Sequence, residues 1–346
     1  MRIAILAVIL LVCSPELRAS AEDREGVIFI LGRDENASSP MFRQAENYCR
    51  TSTEGGGDPV VPDLRSLSEV RDYLAEHAPK NGKPWGLIQF VVHGNGGGQL
   101  ALPLVPGGEF FMVRSLASAV SRGTFRALPD ALLDSRSEVR IHGCALGRNG
   151  ELLRALSRAL GGADPERPLV RASRYFTCYQ APEHKETTPT RFLSEAWRFA
   201  YPAGHTPSLE TINTRIQEEH PGLKLDVADA LTRTSPRFPG DTFSCRAPAT
   251  FHWTLVFRRP EDCPVLTDPV RLRCWLGEQI VFPQRLEEAD LTMDQMDWSA
   301  RRVTRSLDGR ERPAIRVDGT GEVLYILRAL TMEPSWDDPL VFAMER

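Results

Sequence analysis

Two side chains able to do covalent chemistry each follow an apolar segment in this sequence. His93 stands after residues 87–92 in LIQFVVHGNGGG, and Cys144 after 139–141 in EVRIHGCALGRNG. A thiol beside an imidazole is a nucleophile with its general base. The imidazole takes the proton, the thiolate attacks a carbonyl, and the imidazolium then protonates the leaving amine. Cys144 precedes a helix expected to start near Asn149, whose dipole and free amides are expected to favour the thiolate. Gly94 is expected to turn its N–H into the site and, with the N–H of Cys144, to form an oxyanion hole. The glycines at 96, 97 and 98 are expected to keep that loop open. His142, on the opposite side of its strand from its neighbours, is expected to play a structural part. A zinc site built from His93, His142 and Cys144 lacks a second closely spaced ligand pair. No metal or organic cofactor is expected.

The elements that must position the pair alternate. Residues 26–31 (GVIFIL) read as a buried strand, 40–50 as a helix with proline in its first turn, and DPVVPD as a second strand. Ser66-Leu67-Ser68-Glu69 has the spacing of a capping box, opening an amphipathic helix that ends near His77. Residues 87–92 form the next strand, 113–125 a helix, 139–141 the core of a strand, and NGELLRALSRALGG a helix stopping at Gly161-Gly162. Residues 168–176 (PLVRASRYF) read as one more strand. The expected fold is α/β, a mostly parallel sheet flanked by helices, with reactive groups at the carboxyl ends of the strands. Beyond 180, RFLSEAWRFA and SLETINTRIQEEH read as helices, and FHWTLVF and EVLYILRAL as strands. The expected division is one domain over 22–258 and a smaller accessory region over 259–346.

Residues 1–21 carry Arg2, an apolar run over 3–13 and the small residues Ala19-Ser20-Ala21, the pattern of a signal peptide. The chain is therefore expected to be exported, periplasmic or secreted, with no membrane span after that leader. A formal charge of −4 offers no basic stripe for nucleic acid and no polybasic anchor for anionic lipid. Six cysteines follow the leader, at 49, 144, 178, 245, 263 and 274. An oxidising compartment tends to pair them. If Cys144 stays free, at least one more must also be unpaired, and Cys245, Cys263 and Cys274 are expected to supply one bridge.

An apolar strand ending in His-Gly, followed some fifty residues later by one ending in a small residue and Cys, resembles the caspase-haemoglobinase fold of caspases, legumains, gingipains, clostripains and separases. The resemblance covers roughly residues 26–176. It implies an endopeptidase acting on protein or peptide, with Cys144 as nucleophile, His93 as proton carrier, and the amides of Gly94 and Cys144 as oxyanion donors. Bacterial members of that superfamily have a strand ending in Ala-Ser, matched by Ala172-Ser173. Arg33-Asp34 follow the first strand where such enzymes often line a specificity pocket, Arg33 suiting an acidic side chain and Asp34 a basic one. His142-Gly143 stand where caspases commonly have Gln-Ala, so aspartate specificity does not carry over. Two other readings are weighed. An inactive domain of this type would be an exported binding or scaffold protein. An α/β-hydrolase would use HGNGGG as its oxyanion loop, but it needs a G-x-S-x-G elbow or its Cys variant, and His142 stands where the first glycine belongs. It would also need an acid and a later histidine, from His184, His205, His220 or His252.

Overall fold

The structure is a computed structural model describing residues 24–34, 40–52, 57–108, 110–129, 131–161, 167–180, 189–289, 291–307, 310–332 and 334–346. The expected leader and His184 lie outside the described residues. The chain runs β1 (Val27–Ile30), α1 (Met41–Thr51), β2 (Val60–Pro62), α2 (Leu67–Glu76) and β3 (Leu87–Val91). A hairpin of β4 (Leu100–Pro103) and β5 (Phe110–Phe111) then precedes α3 (Val113–Ser121), β6 (Glu138–His142), α4 (Gly150–Leu160) and β7 (Leu169–Ser173). β8 (Phe176–Gln180), β9 (Thr190–Pro202), α5 (Leu209–Glu219), α6 (Val227–Ala230) and β10 (Thr242–Val256) follow. α7 (Pro269–Gly277), α8 (Val281–Glu288), β11 (Asp297–Leu307), β12 (Arg310–Met332) and β13 (Phe342–Glu345) complete it.

The first sheet has the order β2-β1-β3-β6-β7-β13. Its first five strands are parallel and β13 runs antiparallel to β7, so the fold is α/β with a mixed, mostly parallel sheet. Every residue of β1 is buried, as a strand covered on both faces requires. On one face Leu67, Val70 and Leu74 of α2, Leu116 of α3 and Leu152, Leu153 and Leu156 of α4 meet Phe29, Phe90, Val139 and Ile141 in one core. Truncating any of these leucines to alanine costs about 2–5 kcal/mol. On the other face Phe42, Ala45 and Tyr48 of α1 pack on Ile28, Ile30 and Val91. The box at Ser66 is formed one residue out of register: Glu69 N–H donates to Ser66 Oγ, while Glu69 Oε2 accepts from the N–H of Arg65.

The second sheet is antiparallel. It runs β10-β12-β9-β8, with β11 paired to β12 beyond the end of β9. Three sequence expectations are corrected here. Residues 191–200 are not a helix but part of β9, where Trp197, Phe199 and Tyr201 are buried at every second position, the period of a strand. The segment 168–176 is two strands: β7 ends at Ser173 in the first sheet, and Phe176 opens β8 in the second. The strand–helix alternation is broken by the β4–β5 hairpin after His93. Residues 259–346 contribute to both sheets. β10 pairs with β12 along its whole length, so pairing crosses the boundary expected at 258, and β13 forms an edge of the first sheet. Among the described residues, no helix is long and apolar enough to cross a membrane.

Candidate active site

β3 and β6 are adjacent and parallel, and their last partners are Val91 and His142. The N–H of Val92 donates to the carbonyl of His142 at 3.2 Å, carrying the register one residue further. His93 and Cys144 therefore follow at matching positions, two residues past neighbouring strand ends that lie ~4.8 Å apart. Alternation of side chains puts both on the face of Val91 and His142. His93 is exposed, its ring edge-on to Phe42 of α1 with centroids 4.7 Å apart.

Cys144 is half-buried, its Sγ 3.9 Å from the carbonyl oxygen of Thr177. Loss of solvent pushes its thiol up to about 11, only partly offset by that contact. This corrects the expectation of a dipole-stabilised thiolate. A 3₁₀ turn, Leu146–Arg148, separates Cys144 from α4, and the side chain of Asn149 caps that helix by accepting from the N–H of Leu152. Dipole effects fade within the first turn, so desolvation dominates. Burial also raises the nearby Cys178 thiol, and a thiolate at Cys144 or Cys245 would raise it further. Among the described residues no cysteine is joined in a disulfide.

Only two non-glycine residues among those described have positive φ, Asp63 and Ala145. Ala145, directly after Cys144, has φ 56° and ψ 12°, a sparsely populated conformation for an L-residue that turns the chain sharply at the thiol. Its N–H donates to Tyr175 O at 3.0 Å, anchoring the bend. In the opposing loop, Ala101 N–H donates to His93 O and Asn95 N–H to Gln99 O. These bonds flank Gly94 without using its N–H. A Cβ on Gly94 would lie 2.6 Å from the Leu146 side chain, so the His93 loop sits against the Cys144 loop only because that position is glycine. The segment expected to be open is a turn closed by Gly98 N–H donating to Asn95 O at 3.2 Å.

The four residues expected to meet substrate are placed otherwise. Arg33 pairs with Asp63 at 2.7 Å on the surface. Asp34 accepts from the N–H groups of Phe42 and Arg43, satisfying the first turn of α1. Ala172 and Ser173 are buried in the sheet beside β13 and against the 3₁₀ turn, where a Cβ on Gly147 would lie 2.3 Å from Ala172 O.

Sequence reasoning missed a groove of about 680 Å³ whose lining includes Arg148, Ala196, Trp197, Arg198, Arg215 and His220. Arg148 belongs to the turn after Cys144, and its Nε donates to Arg174 O at 2.8 Å. Arg198 is hydrogen-bonded to Tyr325. Neither Cys144 nor His93 is among the residues that line the groove. Of the alternating Trp197, Phe199 and Tyr201, only Trp197 is among its lining residues, and that alternation was the signal that places Trp197 on a strand.

His142 is buried. Its Nε2 lies 2.8 Å from Gln89 Oε1, its Nδ1 3.0 Å from Tyr179 OH and 3.2 Å from Arg191, and its ring meets Trp336 edge-on. A guanidinium can only donate, so Nδ1 accepts and Nε2 carries the proton. Both nitrogens are engaged. Among the described residues, no group of three or more His, Cys, Asp and Glu could hold a metal ion. Comparison with protein-family models, with curated proteins and with solved structures gives no match to this chain.

Proposed function

We propose that this chain is an exported cysteine endopeptidase of the caspase-haemoglobinase type. Cys144 is its nucleophile, His93 its general base and acid, and the amides of Gly94 and Cys144 its oxyanion donors. The observation that carries this reading is the register of β3 on β6, which aligns His93 with Cys144 past two neighbouring strand ends. The strained Ala145 and the Gly94 N–H, unused by its hairpin, add support. In the resting protein the thiol keeps its proton, because burial raises it to about 11. His93 must therefore take that proton as the sulfur attacks, rather than from a standing ion pair.

The buried, protonated thiol also favours a second reading, an inactive domain of the same fold that binds rather than cleaves. Incubation with an unfolded protein, with fragments identified by mass spectrometry, separates the two. New fragments absent with Cys144→Ala and with His93→Ala support the peptidase. Equal fragments from Cys144→Ala remove it, and no fragments from any form leave the binding domain.

A further inference from the structure

We infer that the outer face of the β10–β12–β11 sheet is a docking surface for an anionic phospholipid leaflet, independently of the peptidase reading. Directly opposed residues of antiparallel strands share a face. The pairs Arg301↔Arg316, Arg305↔Arg312 and Leu307↔Arg310 therefore put five arginines on one face of the β11–β12 ladder. β10 adds His252 and Thr254 to it, opposite Asp318 and Arg316.

Two of these pairs oppose like charges, an arrangement that costs stability in a sheet. Asp318 relieves only one, since its carboxylate is shared among Arg316 at 2.8 Å, His252 at 2.7 Å and Arg301 at 3.8 Å. Arg312 reaches the carbonyl of Arg258. Arg305 and Arg310 form no ion pair among the described residues. Arg301 and Arg305 are exposed, as is Arg310. Opposed guanidinium pairs suit bridging phosphates, which they grip in bidentate fashion.

The shape selects the partner. From Arg310 to Arg316 the face extends ~20 Å at the usual strand rise. It is a sheet surface rather than a pocket, and it matches several phosphates spread over a plane better than one small anion. A single-stranded nucleic acid needs aromatic platforms for its bases, yet Trp298 and Trp253 pack against the apolar cluster on the opposite face. Composition hid this surface. Alternation distributes RRVTR and RERPAIR so that no run of like charge forms, while the β11–β12 ladder gathers their arginines.

The experiment is co-sedimentation of the full chain with vesicles of pure phosphatidylcholine and of equimolar phosphatidylcholine and phosphatidylglycerol. Binding to the anionic vesicles should exceed binding to neutral ones by tenfold or more and vanish at about 0.5 M salt. The double variant Arg305→Glu/Arg312→Glu should lose at least tenfold in affinity while keeping the parent's circular dichroism and melting temperature. Arg122→Glu, at the C-terminal cap of α3, should bind like the parent. Equal binding to both vesicle types overturns the proposal. So does an unaffected double variant, or a preference for soluble polyphosphate over vesicles. Any of these results leaves the peptidase reading untouched, because none involves Cys144 or His93.

Discussion

Gly94 and Leu146 hold the two halves of the candidate site together. One directly follows His93, the other opens the 3₁₀ turn after Cys144, and a methyl group at Gly94 would lie 2.6 Å from the leucine side chain. Leu146 is fully buried, so it has little room to yield. Gly94→Ala is expected to lower stability by about 1–3 kcal/mol through overpacking. The double variant Gly94→Ala/Leu146→Ala should recover part of that loss relative to the sum of the single changes, as measured by urea unfolding.

The dyad gives a second expectation. Cys144→Ala and His93→Ala should each reduce peptide hydrolysis by roughly 10³-fold or more, with melting temperatures close to the parent's, because His93 is exposed and Cys144 makes only one weak polar contact. Steady-state assays on a fragment found in the digestion experiment, with calorimetry on the same samples, check this.

Thiol reactivity follows from burial. With Cys144 raised to about 11, its alkylation by iodoacetamide near neutral pH should be slower than that of the exposed Cys274, and should climb about tenfold per pH unit between 8 and 10. Stability runs the other way. The unfolded thiol titrates near 9.0, so burial of the neutral form stabilises the fold fully below that pH, and the contribution is lost as pH rises through about 11. Urea midpoints measured across this range should fall more for the parent than for Cys144→Ala.

The His142 network offers a structural control. His142→Ala removes the acceptor from Arg191 and Tyr179 and the donor to Gln89, all buried. A loss of about 2–4 kcal/mol is expected. Tyr179→Phe, which deletes one hydroxyl, should lose about 1 kcal/mol. Denaturant titrations distinguish the two sizes.

Much of the first sheet was legible because its strands are short apolar runs closed by punctuation. GVIFIL ends at glycine, and Ser66-Leu67-Ser68-Glu69 announces α2. His93 and Cys144 were legible for the same reason, as reactive residues placed within three positions of the ends of such runs. The side-chain environment was not. Whether Cys144 meets a helix dipole or a dry contact with Thr177 depends on β8, whose start at Phe176 was hidden inside a segment that reads as one strand. Arg33 and Asp34 went to Asp63 and to the start of α1 because a loop satisfies its neighbours' backbone groups before it offers any to a ligand. β9 was read as a helix because RFLSEAWRFA spaces its apolar residues three and four apart as well as two, and only pairing with β8 and β12 decides between the periods.

The placement of β12 and β13 governs when this protein can fold. β12 is an interior strand of the second sheet, and β13, at residues 342–345, covers the edge of β7 in the first. Neither layer closes until β12 and β13 are in place, and the pairings that close them join strands far apart in the sequence. Such connections are slow to form. Folding of both layers is therefore expected to be limited by these distant pairings rather than by the local strand–helix units that carry His93 and Cys144.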